Sequence, residues 1–238
     1  MKEFSFSRLS LYETCPQRFY YKYVLGMEEP ITKPLALGKA VHKAIECLLN
    51  GETFQEAIKK AMIEADFHEE VTAIEVEELV LKAPLVHLKG GETEIYFSVP
   101  LFPTEKDSPV IRGYIDLIDG NQIYDFKTNF KAYEVTDNFQ VGLYAWAMEK
   151  ERKLKGKIRG SLLFLRHKRE SKYYFDEEAR EHAVRWARSL VKEIQFKLEM
   201  VDFSPSKRKE LFSYRASAYC EHCPFTLKCY KDNPVKHI

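Results

Sequence analysis

Residues 110–128 read VIRGYIDLIDGNQIYDFKT and predict two β-strands joined by a tight turn. The first strand should cover about residues 110–118 and the second about residues 122–128. Residues 119–121, Asp-Gly-Asn, join them, and these residue types tolerate the positive φ of hairpin turns. The central element of the fold is therefore expected to be an antiparallel hairpin.

Three charged side chains fall on one face of this hairpin, because side chains alternate along a strand. A loop at residues 120–121 would pair Asp116 directly with Asp125, whereas a loop at residues 119–120 would place them diagonally. In either register Asp116, Asp125 and Lys127 lie close enough to share one ion.

Two neighbouring carboxylates repel each other unless a cation compensates, and Mg²⁺ and Mn²⁺ prefer carboxylate oxygens. Lys127 could hold a water molecule or a phosphate oxygen beside them. This combination suits a metal-dependent phosphodiesterase site. The alternative interpretation is an ordinary hairpin with charges on its solvated face.

The composition is that of a soluble globular protein with one large domain or two small ones. The chain has 238 residues, of which 45% are hydrophobic and 31% are charged. No apolar run is long enough for a membrane span, and the first residues lack an apolar signal core, so we expect a cytoplasmic protein. A net charge of +1 argues against a strongly basic nucleic-acid binder but leaves room for local basic patches.

The cysteines indicate a metal centre rather than a set of disulfides, because there are five of them in a chain expected to be cytoplasmic. Cys220, Cys223 and Cys229 lie within ten residues of one another. Cys15 is the leading fourth ligand, since it precedes a proline as Cys223 does. Four thiolates could hold zinc or a four-iron cluster, and His222 could also serve zinc. Either centre would clasp the two ends of the chain together.

An amphipathic helix is predicted for residues 35–50, with His42 on its apolar stripe. A histidine in this position is either a core residue or a metal ligand. It becomes a candidate ligand only if the helix packs beside the hairpin.

A second helix is predicted after the hairpin, capped by Thr136 or Asp137 and running to about Lys153. Gln140 and Tyr144 lie four residues apart on one face of this helix. They are either a half-buried packing pair or a pair that orients the site.

Other segments extend the alternation of helices and strands. Ser5 or Ser7 should cap a first helix that Cys15-Pro16 interrupts. Glu94 lies on a strand before the hairpin, and a solvent-facing glutamate is the preferred interpretation over a carboxylate near the site. The remaining predicted elements are a helical insertion at residues 53–88, a strand at 92–102, a second hairpin at 157–175 and a long helix at 176–201.

Five motifs follow one another along the chain: Ser7-Arg8-Leu9 with Cys15-Pro16, Gly38-Lys39-Ala40-Val41-His42, Gly113-Tyr114-Ile115-Asp116 with Asp125-Phe126-Lys127, Gln140-Val141-Gly142-Leu143-Tyr144, and the Cys220, Cys223, Cys229 group. Together they resemble the RecB-like PD-(D/E)XK nucleases over nearly the whole length. The resemblance is to the iron–sulfur branch, which includes the AddB nuclease domain and the CRISPR-associated RecB-like exonucleases.

The resemblance implies an α/β, restriction-endonuclease-like fold with a mixed central sheet flanked by helices. A single nuclease domain would cover residues 1–238. It would contain a helical insertion at about residues 53–88 and a cluster-binding segment at about residues 202–238, with the cluster joining the N- and C-termini.

The resemblance also implies roles for the site residues. Mg²⁺ or Mn²⁺ would be bound by His42, Asp116, Asp125 and the backbone carbonyl of Phe126. Lys127 would position the attacking water, while Gln140 and Tyr144 would support the substrate or the site. A structural 4Fe-4S cluster, or zinc as the alternative occupant, would be held by Cys15, Cys220, Cys223 and Cys229.

The implied function is that of a Mg²⁺- or Mn²⁺-dependent deoxyribonuclease that cuts single-stranded ends and leaves a 5′-phosphate. The pathway would be DNA repair, recombination or CRISPR-type processing, with DNA and a separate helicase or CRISPR integration proteins as partners and no membrane. The chain carries no Gly-x-x-x-x-Gly-Lys-[Ser/Thr] loop for a motor of its own. The alternatives are a catalytically idle DNA-binding or scaffold subunit and a zinc-clasped structural protein.

Overall fold

A mixed six-stranded β-sheet forms the centre of the computed structural model, which describes residues 1–88 and 90–234. The strands are β1 Glu3–Phe4, β2 Glu92–Pro100, β3 Val110–Asp119, β4 Gln122–Lys127, β5 Ile158–Phe164 and β6 Arg169–Phe175. Along the main path of the sheet they follow the order β1, β3, β4, β5, β6, and β2 also pairs with β3. The parallel pairs are β1 with β3 and β4 with β5, while the other pairs are antiparallel.

Strand β3 has an open stretch along one of its two edges. One edge is occupied by β2, which pairs with it from the Glu92–Ile118 pair to the Pro100–Val110 pair. The other edge is shared by β1, which pairs with residues 110–111, and β4, which pairs with residues 117–119. Among the described residues no strand pairs with this second edge at residues 112–116, and we call that stretch the sheet gap.

Helices pack on both faces of the sheet. They are α1 Phe6–Thr14, α2 Pro16–Phe19, α3 Lys33–Leu49, α4 Phe54–Glu64, α5 Ala73–Val80, α6 Gln140–Arg152, α7 Glu177–Phe203, α8 Arg208–Leu211 and α9 Thr226–Asp232. Short 3₁₀ turns lie at Leu85–His87, Leu165–His167, Pro205–Lys207 and Ala218–His222, and a π-helical turn at Tyr20–Val24 follows α2.

Two separate apolar cores result, because alternate residues of a strand face opposite sides of the sheet. On β5, Leu162 and Phe164 join the core formed with α1, α2, α6 and α7. Leu163 joins the core formed with α3, α4 and α5. Both faces of the sheet are therefore covered by helices, as the family resemblance implied for this mixed α/β fold.

Several helix boundaries confirm the predictions made from sequence. Ser5 caps α1, and its hydroxyl accepts the backbone N–H of Arg8 at 3.2 Å. Cys15 is extended and separates α1 from α2, which begins at Pro16. Asp176 caps α7 by accepting the N–H of Ala179 at 3.0 Å. A helix cap depends mainly on the residue type at one position, so these boundaries can be predicted from the sequence alone.

The predicted start of α6 at Thr136 or Asp137 is wrong, because this helix begins at Gln140. The Asp137 carboxylate instead accepts the N–H of Glu134 at 2.9 Å and closes a turn in the preceding loop. The side chain of Asn138 accepts the N–H of Gln140, also at 2.9 Å. Asp and Asn close such turns as readily as they cap helices, so the pattern alone could not choose between the two.

The predicted helical insertion at residues 53–88 contains α4, α5 and a 3₁₀ turn, all packed beside α3. The predicted C-terminal segment at residues 202–238 contains α8 and α9 as far as it is described, and residues 235–238 lie outside the described part. None of the helices in the described ranges has the length and apolar character needed to cross a membrane.

Candidate active site

The hairpin register places the two aspartates opposite each other at the sheet gap. Asp119 pairs with Gln122, so the loop is at residues 120–121 and the directly paired register is the observed one. The backbone ladder ends at the Leu117–Tyr124 pair, one step before Asp116 and Asp125. There the Asp116 Oδ2 atom takes over as acceptor and receives the N–H of Phe126 at 2.7 Å. Asp116 is thus fixed where β3 and β4 separate.

His42 reaches the same point from α3. Its Nδ1 atom lies 3.3 Å from Asp116 Oδ1, and its Nε2 atom lies 2.7 Å from the carbonyl oxygen of Phe126. Burial is the largest single influence and lowers the pKa of His42, but the charge and hydrogen bond of Asp116 and the charge of Asp125 together outweigh it and raise the pKa to about 9. The position between Asp116 and this carbonyl therefore stabilises a positive charge.

Glu94 also faces the site, which corrects its preferred interpretation as a solvent-facing residue. It lies on β2 across from Asp116, at a point where the β2–β3 ladder skips one pair, and its φ is 49°. Single ligand atoms of His42, Glu94 and Asp116 all lie within 4.8 Å of one another. Burial, together with the charge of Asp116, raises the pKa of Glu94 to about 7. The strand containing Glu94 was predicted, but its pairing register with β3 was not, and that register brings the carboxylate to the site.

Asp125 and Lys127 form a buried pair on β4. Asp125 is only 2% exposed, and burial raises its pKa. Lys127 Nζ lies 2.7 Å from Asp125 Oδ2, yet not in hydrogen-bonding geometry, so this buried oxygen has no hydrogen-bond partner among the described residues. Burial is the largest single influence and lowers the pKa of Lys127, but the charge of Asp125 together with the other nearby groups outweighs burial, and the net shift is upward. Lys127 thus stays protonated beside a carboxylate oxygen that can accept a further ligand.

A chain of side-chain hydrogen bonds holds Lys127 against α6. Its Nζ donates to Gln140 Oε1 at 2.9 Å, and Gln140 Nε2 donates to the hydroxyl of Tyr144 at 3.0 Å. Tyr144 in turn packs edge-on against Phe97 of β2, with ring centroids 5.6 Å apart. Gln140 and Tyr144, four residues apart on α6, therefore connect Phe97 of the sheet to the charged end of Lys127.

The structure brings together all of the residues that the sequence assigned to this site: His42, Asp116, Asp125, Phe126, Lys127, Gln140 and Tyr144. The donors fit a hard divalent cation, because they are carboxylate and carbonyl oxygens with one imidazole. Two observations support this fit. Asp125 Oδ2 is buried without a hydrogen bond among the described residues, and ligand atoms of His42, Glu94 and Asp116 lie close together. Such a group can orient a water molecule and a phosphate in one place.

A second group of candidate ligands lies at the other end of the molecule. Cys15, Cys220, Cys223 and Cys229 all line one cavity of about 260 Å³. Burial raises the pKa of the Cys229 thiol. A hydrogen bond with Asn233 lowers this pKa and the charges of the other three cysteines raise it, so the net shift is upward. No three of these sulfur atoms, all in the described ranges, lie within 4.8 Å of one another.

Hydrogen bonds beside this cavity join the first helices to the last one. The Tyr21 hydroxyl donates to Asp232 Oδ2 at 2.6 Å, across a separation of 211 residues. Asn233 Nδ2 donates to Gln17 Oε1 at 3.1 Å. We call this arrangement, with the four cysteines, the terminal clasp. His222 does not line the cavity in the described part of the chain, although the sequence left it open as a zinc ligand.

Comparisons with known proteins agree with this geometry. A family model described as the PD-(D/E)XK nuclease superfamily matches residues 3–230. A solved structure of a candidate exonuclease from Eubacterium rectale is similar with a TM-score of 0.53 and 13% identity, covering 93% of this chain and 87% of that one. The structure of SSO0001 has a TM-score of 0.47 and 15% identity over 96% of this chain and 86% of that chain, too distant to support an argument. No curated protein matches the sequence.

Proposed function

The chain belongs to the PD-(D/E)XK nuclease superfamily, and from that premise we propose that it is a metal-dependent DNA exonuclease acting on single-stranded ends. The observation that carries the proposal is the meeting of His42, Asp116 and Lys127 with a buried Asp125 at the sheet gap. Four such groups on three different elements have no packing purpose in common. They make chemical sense around a divalent cation and a phosphodiester.

Mg²⁺ or Mn²⁺ would be held by His42, Asp116, Asp125 and the carbonyl of Phe126, and Glu94 would add a carboxylate that lies close to His42 and Asp116. A cation bound there lowers the pKa of a water molecule and polarises the scissile phosphate. Lys127, which stays protonated, orients that water and offsets the negative charge that develops on the phosphate oxygens. Gln140 keeps the Lys127 ammonium aimed at this point, and Tyr144 keeps Gln140 in place.

The terminal clasp supports the RecB-like, iron–sulfur subtype of this superfamily. Tetrahedral zinc with Zn–S bonds of about 2.3 Å would draw four sulfurs to about 3.8 Å from one another. The four thiols share a cavity but are more widely spread than that. A four-iron cluster takes one thiolate at each iron and suits the wider spacing, so we favour it over zinc as a structural centre.

The whole of residues 1–238 would then act as one nuclease domain, with the insertion at 53–88 and the clasp at 202–238 as its additions. DNA repair, recombination and CRISPR-type processing are the fitting pathways, and a separate helicase or CRISPR integration proteins are the fitting partners. The competing function is a catalytically idle DNA-binding or scaffold subunit. The complete set of charged residues favours catalysis, because an idle site has no need of a buried carboxylate such as Asp125, ion-paired with Lys127 but without a hydrogen bond at Oδ2.

The proposal is tested by incubating the purified protein with end-labelled single-stranded and double-stranded DNA. We expect Mg²⁺- or Mn²⁺-dependent shortening from free ends, products that carry a 5′-phosphate, and complete loss of cleavage in EDTA. Closed circular DNA is the control for exonuclease action. Retention of intact DNA under every metal condition, with normal DNA binding, would support the idle subunit instead.

Replacing Lys127 by alanine should separate metal binding from catalysis. The substitution removes a positioned charge but no proposed metal ligand, so Mn²⁺ binding by calorimetry should persist. The cleavage rate should fall about a hundredfold, corresponding to on the order of 3 kcal/mol of transition-state stabilisation. Lys150→Ala, on α6 but paired with Glu149 at the exposed surface, is the matched control and should cleave normally. A Lys127→Ala rate equal to that of the Lys150→Ala protein would remove Lys127 from the mechanism.

A further inference from the structure

Two exposed tyrosines stand side by side next to the sheet gap. Tyr96 of β2 and Tyr114 of β3 are directly paired across the two strands. Their ring centroids are 5.2 Å apart with an interplanar angle of 53°. The residues are 48% and 56% exposed, respectively. Large aromatic rings on a sheet are normally covered by the core, so an exposed pair is a surface available to a ligand.

This aromatic pair is continuous with the candidate active site. Tyr114 lies two residues before Asp116 on the same strand, a step of about 6.6–6.8 Å along one face. It lines a cavity of about 810 Å³ that also contains His42, Glu94 and Asp116. It also lines a neighbouring cavity of about 550 Å³ that contains Gln140 and Tyr144. A DNA strand that runs from one cavity to the other past Asp116 would therefore lie beside the Tyr114 ring.

Charges around the pair do not favour a double helix. Arg112, Lys39 and Lys43 border the two cavities, but Arg112 is paired with Glu3 at 2.9 Å and Lys43 with Glu46 at 2.7 Å. The larger cavity also has Glu46 and Glu64 on its wall. Duplex DNA is held chiefly by contacts to two phosphate backbones, which this wall would repel in part. Unpaired bases can obtain their affinity from aromatic stacking, which needs little positive charge.

We propose that Tyr96 and Tyr114 form a stacking platform for unpaired bases next to the scissile phosphate and thereby select single-stranded DNA. The inference rests on the proposed nuclease function and adds to it the residues that distinguish the two forms of DNA. A base stacked on Tyr114 belongs to a nucleotide adjacent to the phosphate at Asp116. In a duplex the same base is already stacked on its neighbours and is not available to the ring.

The test measures binding without cleavage, with Ca²⁺ in place of Mg²⁺ and a fluorescein-labelled oligothymidylate as the probe. Tyr114→Ala and Tyr96→Ala should each weaken binding of the single strand about tenfold, the size expected when one base–aromatic contact is lost. Binding of a duplex of the same length should change less than about twofold. Tyr114→Phe keeps the ring and should bind as the wild type does. Tyr174→Ala removes a comparably exposed tyrosine on β6 and is the matched control.

Oligonucleotides with a single abasic site connect the rings to particular bases. One abasic position near the cleaved end should weaken binding to the wild-type protein. The same position should have no further effect on Tyr114→Ala, because base and ring form one contact. Additive effects of the abasic site and the substitution would overturn the platform, as would equal losses for single-stranded and duplex DNA. If the platform fails while the wild type still cuts DNA, the nuclease function stands; if the wild type neither binds nor cuts DNA, both proposals fail.

Discussion

Asp116→Ala and Asp125→Ala proteins should each lose Mn²⁺ binding and show cleavage close to background. Asp125 is buried and Asp116 is half-buried at the sheet gap, and each is a proposed ligand of the cation. Losing either carboxylate removes a proposed metal ligand. It also removes a negative charge that lies beside His42 or Lys127. The double variant should be scarcely worse than either single variant, because residues that act as one unit do not contribute additively.

Two further variants protect this result from an effect on folding. Asp116 also accepts the Phe126 N–H at 2.7 Å, and an unsatisfied N–H costs about 1–3 kcal/mol. Asp116→Asn keeps an acceptor there but removes the charge, so it should fold well and still be inactive. Asp107→Ala, at an exposed site that pairs only with Lys2, should retain both binding and cleavage.

The measurements are isothermal calorimetry with Mn²⁺ and cleavage of a labelled oligonucleotide, made on the same preparations. His42→Ala should follow the aspartate variants, since its ring contacts both Asp116 and the Phe126 carbonyl. Full activity in His42→Ala would return this histidine to the role of a core residue. If Asp125→Ala binds Mn²⁺ normally and still cuts DNA, the hairpin is not the active site and the nuclease assignment is wrong.

Cys15→Ala protein should lose its iron and much of its solubility together. Cys15 is the one ligand candidate from the N-terminal helices, while the other three lie between residues 220 and 229. Removing it would leave the proposed cluster with three thiolates and take away the metal link between the first helices and residues 220–229. Metal binding at a site of this kind is coupled to folding, so loss of the metal should also lower the stability of the fold. The remaining hydrogen bonds contribute less, since even one to a charged group, such as Tyr21 to Asp232, is worth about 1.5–3 kcal/mol.

Anaerobic purification, the visible absorption spectrum and the iron and zinc content measure this effect. The wild type should be brown and carry about four irons per chain. Cys47→Ala is the matched control, because Cys47 is buried on α3 in the other apolar core and does not line the clasp cavity. Colourless wild-type protein with one zinc would exclude the cluster but keep the clasp, and full iron in Cys15→Ala would remove Cys15 from the ligand set.

Features with a local cause could be predicted from the sequence. The hairpin is specified by Asp119-Gly120-Asn121, and strand alternation then fixes the common face of Asp116 and Asp125. Ser5 and the Cys15-Pro16 break act through the nearest backbone groups, so the boundary of α1 follows directly. Cys15 was predicted to join Cys220, Cys223 and Cys229, because a centre with four thiolate ligands needs one more than these three. The structure places all four cysteines at one cavity.

Features that depend on distant pairing could not be predicted in this way. Glu94 reaches the site because β2 lies antiparallel to β3 in one register among several possible ones. The position of His42 depends on how α3 packs across the sheet, which its apolar stripe leaves open. The sheet gap itself exists because β1, a strand of only two residues, occupies the far end of the β3 edge. Nothing in Glu3–Phe4 alone indicates a strand.

The terminal clasp has a consequence for how the protein is made on the ribosome. Phe4, Leu9 and Phe19 are buried in the same core as Phe212 and Phe225, so their native packing is complete only after residue 225 has been translated. At about 5–20 residues per second, the 211 residues that separate Tyr21 from Asp232 take roughly 10–40 s to synthesise. During that interval the apolar side of these first helices should lack part of its native cover, which is a condition that favours aggregation. The segment around residues 4–19 is therefore expected to complete its native packing late, although it is translated long before residue 212.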